Sequence, residues 1–433
     1  MKFNNIKKIF FCIIMLVFAI FPSNIFAAQK LNLSSTAAIA MDADSSLVLY
    51  EKNSNKKIYP ASTTKILTAI LAIENLELKD SAVVSKTALD IPWDSSTVYL
   101  RTGEILTIED LLYCLLLNSG NDAANVLAEA VSGSIDKFVD LMNQKIKEIG
   151  CTNTHFNNAH GYSDNNHYTT ALDMAKILDY CIENETFVKI MSTKSYTVAP
   201  TNKTKTKRIL SNTNRLILKK EDSVYSRYYS NCIGGKTGYT DEAGRTLVTF
   251  GKKDGKTVIV AVFDAAFNGS EDLRYTDAIN LFEYSFNNFT KQTIAKAENY
   301  SFNYINTNKN LNYSVALKED FNMLWYNNQA PDCSYTINID DSSLEGIDKD
   351  NFKELPVGTV TFKFKDLNNN ELSHSENLYL KDIERYTLIT KSNITWIIVL
   401  VSVIVLIALI SLLVIKATRK TSISKSSRKE RRK

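Results

Sequence analysis

The chain is short of cysteine, with six in 433 residues, and the few it has form no recognisable arrangement. No pair shows metal-ligand spacing, so the cysteines supply no metal site. Beyond an N-terminal apolar run stand Cys114, Cys151, Cys181, Cys232 and Cys333, an odd number without a paired framework. That excludes a small disulfide-stapled scaffold and leaves most of them to be read as small buried hydrophobes. No internal repeat of solenoid length is visible. With 45% hydrophobic and 23% charged residues, the composition is not that of a disordered or collagen-like chain. A net charge of +4 argues against a nucleic-acid-binding stripe. The length allows two or three domains with a sizeable core.

The charge is unevenly spread. Residues 1–28 hold Lys2, Lys7 and Lys8 and no acid; residues 416–433 hold nine Lys or Arg and one acid, Glu430. These ends carry +3 and +8, leaving −7 for residues 29–415. Each basic end adjoins an apolar run. Ile9 to Phe21 is followed by Pro22-Ser23-Asn24 and then Ile25-Phe26-Ala27-Ala28, the layout of a signal peptide over residues 1–27. Residues 394–415 contain no charge. At a helical rise of about 1.5 Å per residue they reach roughly 33 Å, enough to span the hydrocarbon core. Lys416, Arg419 and Lys420 follow at once, which assigns residues 416–433 to a cytoplasmic tail. The expectation is a cell-membrane protein with one C-terminal span and an acidic extracytoplasmic body.

Within that body, residues 37–50 read as a hairpin. Ser62 to Leu76 is apolar all round, the mark of a core helix. A helix from Thr107, with Asp110 in a capping-box pattern, runs through Leu117, and residues 120–150 continue helically. Residues 153–168 are polar and turn-rich, followed by helices over 170–182 and 184–192. Strand-like runs at 231–238, 245–250 and 257–263 precede a helix from about Asp272 to Asn288. The order predicts an α+β domain over 28–290, an antiparallel sheet with a helical cluster beside it. Alternating runs such as 300–304 and 357–364 predict a small β-rich domain over 291–385.

Three short motifs fall in the first domain. Ser62-Thr63-Thr64-Lys65 opens the buried helix, Ser119-Gly120-Asn121 ends the apolar helical run, and Lys236-Thr237-Gly238 lies on the first late strand. Each is weak alone. Ser54–Lys57, Ser134–Lys137 and Ser422–Lys425 also fit the first pattern, and Ser163–Asn165, Ser285–Asn287 and Ser301–Asn303 the second, whereas Lys-Thr-Gly occurs once. Context selects among them, because only the Ser62 match starts a core helix.

Their chemistry suits acyl transfer. Lys65, three residues after Ser62 on one helix face, can reach its hydroxyl, and a buried lysine beside other cations can act as a base. Ser119 can relay a proton, and Asn121 can hold a substrate amide. Lys236 and Thr237 can bind a terminal carboxylate. Gly238 lets substrate backbone lie against the strand. The backbone N–H groups of Ser62 and Tyr239 can serve as oxyanion donors.

With these motifs, the chain resembles the low-molecular-mass penicillin-binding proteins of the serine D-alanyl-D-alanine carboxypeptidase type. The resemblance runs over about residues 34–385. It includes Tyr59 to Lys65, Leu117 to Ala124, Asn153 to Phe156, His160-Gly161, His167-Tyr168 and Gly235 to Thr240. It implies a β-lactamase/transpeptidase-like catalytic domain and a β-rich domain, with no metal or other cofactor. It implies that Ser62 attacks the terminal D-Ala-D-Ala bond of peptidoglycan stem peptides, and that β-lactams acylate the same serine. It also implies a basic residue near the substrate carboxylate, which Arg274 matches. Arg245 is an unexpected charge on its strand, read as facing solvent. A class A β-lactamase would need a deacylating glutamate, and residues 153–168 contain none. A D,D-endopeptidase and a non-enzymatic penicillin-binding sensor remain as alternatives. His155, His160 and His167 lack metal-ligand spacing.

Overall fold

The computed structural model describes residues 30–297, 301–306, 311–327, 329–340, 342, 356–365, 371–385, 398–407 and 409–411. The expected signal peptide therefore lies outside the described residues.

Strands β1 (Ala37–Asp42) and β2 (Val48–Lys52) form the expected hairpin. The 3-10 turn Ala61–Thr64 leads into α1 (Lys65–Asn75). The short ribbon β3 (Ser81–Val83) and β4 (Ile105–Thr107) precedes α2 (Ile108–Leu116). Thr107 caps α2 as its sequence suggests: its hydroxyl accepts from the Asp110 N–H at 3.1 Å and donates to the Asp110 carboxylate at 2.8 Å. Then come α3 (Asn121–Ser132), α4 (Ile135–Glu148), α5 (Ala171–Ile182) and α6 (Glu185–Ser192). A second ribbon, β5 (Ser195–Val198) and β6 (Arg208–Ser211), follows. The domain closes with β7 (Cys232–Thr240), β8 (Gly244–Lys253), β9 (Lys256–Ala265) and α7 (Leu273–Asn288).

The main sheet has the order β2-β1-β9-β8-β7, antiparallel throughout. The first hairpin thus pairs with the last strand, and β7 is left at an edge. Residues Lys65 to Ala72 of α1 are all buried, at the centre of one apolar cluster shared with α2 to α6 and the sheet. Asp277 on α7 ties that helix to the segment just before β1. This buried carboxylate accepts from the backbone N–H groups of Ser34 and Ser35 at 3.1 and 2.7 Å, and from the Ser34 hydroxyl at 2.8 Å. Five cysteines are described, all free, and four of them are buried.

After α7 every labelled element is a strand: β10 (Phe289–Ala295), β11 (Ser301–Asn306), β12 (Leu311–Leu317), β13 (Phe321–Tyr326), β14 (Cys333–Ile339), β15 (Pro356–Lys365) and β16 (Glu371–Arg385). β10 pairs with β13, and the rest form a sheet in the order β11-β12-β16-β15-β14. The described chain divides into two compact units. One takes residues up to Ala295 with Phe321–Tyr335 and Thr361–His374; the other takes Lys296–Asp320, Thr336–Val360 and the part from Ser375 onward.

The transmembrane helix expected over 394–415 is not present in the fold as described. Residues 398–407 and 409–411 are helical, but among the described residues no helix is long and apolar enough to cross a membrane. Residues 394–397, 408 and 412–415 lie outside the described residues.

Replacing Asp277 by alanine leaves buried donors unsatisfied. Urea unfolding should show a loss of about 2–4 kcal/mol, from several charge-assisted bonds lost together. A change within error would mean that the segment before β1 is held on α7 by apolar packing alone.

Candidate active site

Ser62 lies in the 3-10 turn rather than in the α-helix proper, and Lys65 is the first residue of α1. Ala61, just before the serine, has φ +48°, a left-handed conformation that a non-glycine residue holds only when its surroundings impose it. Two local bonds do so: Thr64 Oγ1 donates to the Ala61 carbonyl at 2.9 Å, and Thr63 Oγ1 to the Pro60 carbonyl at 2.7 Å.

The Lys65 side chain is completely buried. Its Nζ is 2.9 Å from Ser62 Oγ, 2.7 Å from Asn121 Oδ1 and 2.6 Å from the His160 carbonyl. All three partners are neutral. Burial holds its pKa well below the ordinary lysine value, and the charge of Lys236 lowers it further, against an opposing pull from Asp122. Lys236 is itself fully buried, and its Nζ donates to the Thr237 carbonyl at 2.9 Å. Burial, then Arg274, push it down to about 7.

The polar loop 153–168 has a structural task that its composition conceals. A Cβ on Gly161 would sit 1.8 Å from the Ala61 carbonyl oxygen, so only glycine lets this loop pass behind the serine turn. His167 Nδ1 accepts from the Asn157 N–H at 2.9 Å, which places its proton on Nε2, donating to Thr64 Oγ1 at 2.8 Å. Burial holds the pKa of both His160 and His167 at about 3, so both are neutral near neutral pH. The sequence marked His160-Gly161 only as part of a resemblance; the close approach behind it is a tertiary fact.

Ser119 follows the end of α2 at φ +62°. Its hydroxyl faces the cleft and makes no hydrogen bond to a described side chain or backbone group. Asn121 reaches Lys65 through its carbonyl, which leaves its amide N–H groups for a ligand. This turn is set by the buried carboxylate of Asp122, which accepts from the N–H groups of Val98 and Leu100, each at 3.1 Å, and of Ala123 at 3.0 Å.

Strand β7 forms the opposite wall. Thr237 Oγ1 donates to Thr213 Oγ1 at 2.7 Å. Gly238 is needed for a reason the sequence did not reveal: a Cβ there would lie 2.9 Å from the Ser62 nitrogen and 2.4 Å from Thr246 Oγ1. The absent side chain lets the serine turn pack on the strand. Tyr239 is exposed at the rim, and its hydroxyl donates to Asp241 at 2.9 Å.

Arg274 lines the cleft, yet most of its donors are committed. Nε and Nη2 donate to Asp272 Oδ2 at 3.0 and 2.7 Å; Nη1 donates to the carbonyls of Gly238 and Thr246 at 2.9 and 3.0 Å. One of its five N–H groups remains for a ligand. Arg245 does not simply face solvent, as its sequence position suggested. It donates to the same Asp272 oxygen at 3.0 Å and lies 4.4 Å over the Phe267 ring.

Two cavities open on Ser62. The larger, about 440 Å³, runs past Ser119, Thr213, Thr237 and Tyr275; the smaller, about 190 Å³, runs past Asn121, Gly161, Tyr162 and Glu242. A half-buried serine beside a desolvated lysine, facing a strand edge across a two-armed cleft, defines a serine acyl-transfer peptidase of the penicillin-binding class.

A family model described as D-alanyl-D-alanine carboxypeptidase matches residues 24–267. The chain belongs to that family, and its activity is the serine-type hydrolysis of a terminal D-alanyl-D-alanine bond. The D-alanyl-D-alanine carboxypeptidase DacF of Bacillus subtilis is 34% identical over 281 residues, 62% of this chain and 68% of that protein. A D-alanyl-D-alanine carboxypeptidase of a Streptomyces species is 33% identical over 273 residues, 60% of this chain and 90% of its own. The crystal structure of a D-alanyl-D-alanine carboxypeptidase from Mycobacterium tuberculosis superposes with TM-score 0.54 at 29% identity, covering 60% of this chain and 95% of that one. Penicillin binding protein 5 from Haemophilus influenzae, at 24% identity, shares the fold over 82% of this chain and 99% of its own, with TM-score 0.63.

The Lys236 charge makes the site's pH dependence testable. Were Lys65 the base for Ser62, it would have to be unprotonated to act, and the rate would rise with pH as Lys65 loses its charge. Lys236→Met removes a repulsion that depresses the Lys65 pKa. The acidic limb of the kcat/KM–pH profile should therefore move to higher pH. A limb that stays in place or moves down would show that the two ammonium groups are not coupled.

Proposed function

We propose that Ser62 is the nucleophile, Lys65 its base, and β7 the wall along which the substrate lies. The observation that carries this reading is the completely buried Lys65 Nζ, 2.9 Å from Ser62 Oγ and without an acid partner. A lysine so desolvated has a lowered proton affinity, which suits it to act as a base. It takes the Ser62 proton as Oγ attacks the carbonyl of the penultimate D-alanine in a peptidoglycan stem peptide. The backbone N–H groups of Ser62 and Tyr239 hold the oxyanion. Ser119 passes the proton to the departing amine of D-alanine. Asn121 binds the substrate amide through its free NH₂ group. Thr237, with the one uncommitted N–H of Arg274, takes the terminal carboxylate, and Lys236 supports that anion from beneath the strand. Gly238 and Tyr239 border this pocket. Water then cleaves the ester. β-Lactams, which present a carboxylate and a strained amide at similar spacing, acylate Ser62 in the same way.

Ser62→Ala should lower D-alanine release from a D-Ala-D-Ala-terminated muropeptide by at least about 10⁴-fold, and abolish the covalent penicillin adduct. An adduct persisting in Ser62→Ala would move the nucleophile elsewhere.

The proposed topology rests on sequence: residues 1–27 as an export signal, 394–415 as a single anchor in the cell membrane, and 416–433 as a cytoplasmic tail. Its support is the arrangement of basic residues around uncharged runs. Protease added to intact cells should remove the body and spare the tail. A protected body would reverse the orientation.

A further inference from the structure

The larger cavity holds a second cation to which the reaction above gives no work. Arg215 lines it beside Thr237, Arg274 and Tyr275. Its guanidinium lies 5.0 Å from the ring centre of Tyr225 and 5.9 Å from that of Tyr275; Arg274 lies 5.3 Å from the same Tyr275 ring. Tyr275 is 1% exposed, and its hydroxyl donates to the Thr213 carbonyl at 3.1 Å, so the ring shared by the two cations is fixed. The turn that carries Arg215 is fixed as well. Asn212 Oδ1 accepts from the Asn214 N–H at 2.9 Å, and Asn214 Oδ1 from the Leu216 N–H at 3.1 Å.

Unlike Arg274, Arg215 makes no side-chain hydrogen bond or ion pair with a described residue. Asp222 pairs instead with Lys194 at 2.8 Å, and Glu271 with Arg227 at 3.7 Å. Two aromatic rings flank the guanidinium, and none of its N–H groups is spent on a described acceptor, which leaves them to receive a carboxylate. The terminal carboxylate of a D-alanine leaving group is already provided for by Thr237 and Arg274. The cavity, at about 440 Å³, also extends well beyond what a methyl side chain fills.

We infer that Arg215 is a specificity-determining residue that binds a second carboxylate, on the side chain of an acidic leaving residue such as D-glutamate. The enzyme thereby removes acidic terminal D-residues as well as D-alanine. This rests on the reading above, in which the Thr237 end of the cleft receives the leaving residue. The covalent chemistry is unchanged. The C–N bond breaks as the Ser62 ester forms, the amine departs with the hydroxyl proton, and water later splits the ester.

The test uses the full chain and three peptides alike up to a penultimate D-alanine, ending in D-alanine, D-glutamine or D-glutamate. The last two match in size and differ in charge. The expected kcat/KM ratio of D-glutamate to D-glutamine release is about tenfold, the worth of one charge-assisted bond. Arg215→Gln should bring that ratio to about one, each rate normalised to the same variant's D-alanine release. Arg215→Lys should keep part of it. A ratio of one or less in the native enzyme overturns the inference, as does a ratio that survives Arg215→Gln. Equal loss on all three peptides in both Arg215→Gln and Arg215→Leu also overturns it, by making Arg215 structural. Thr237→Val releasing D-alanine as fast as the native enzyme would fault the orientation of the site instead.

Discussion

Taking the Lys65 ammonium out of water without giving it an acid costs free energy, and the group answers by losing proton affinity. Three neutral oxygens come from three separate parts of the chain: the serine turn, the start of α3 and the 153–168 loop. Each needs its own support. The serine turn needs the left-handed Ala61 and the Thr64–His167 bond; the loop needs Gly161 to approach; the start of α3 needs the buried Asp122. An acid beside Lys65 would ease its burial and raise its proton affinity, against the role as base proposed for it.

A second set of charges is arranged with the opposite logic. Asp272 gathers Arg274 and Arg245 on one oxygen, so both guanidinium groups have a carboxylate partner at hand. Arg274 then ties the carbonyls of Gly238 and Thr246 together behind the cleft wall. Its charge reaches Lys236, whose charge reaches Lys65. One part of the site thus holds cations paired with an acid and fixed, and another holds lysines whose proton affinity is lowered.

The sequence made the main sheet and most of the helices legible because their apolar periodicity is strong. The runs at 231–238, 245–250 and 257–263 became Cys232–Thr240, Gly244–Lys253 and Lys256–Ala265. The ribbons Ser81–Val83 with Ile105–Thr107 and Ser195–Val198 with Arg208–Ser211 are not legible in the sequence, since strands of three or four residues carry too little pattern. The three motifs could be read because their spacing within helix and strand decides which groups meet. What Gly161, Gly238 and Asp272 do could not, because each acts through a partner distant in sequence: Ala61, Ser62 and Arg245 in turn. Arg274 was found by resemblance, but a single letter carries no sign that four of its N–H groups are already committed.

Because β7 ends the sheet, its outer backbone groups have no strand beside them among the described residues. Proteins commonly blunt such an edge with charge, proline or a bulge, since an open one invites pairing with a second chain. Here the stretch from Thr237 to Tyr239 lines the cleft, and in the mode of binding proposed above it must stay open for an extended peptide. Solubility and catalysis are thereby set against each other at one place. Any device that sealed this edge against self-association would also exclude substrate, and two copies joined edge to edge there would each block the other's cleft.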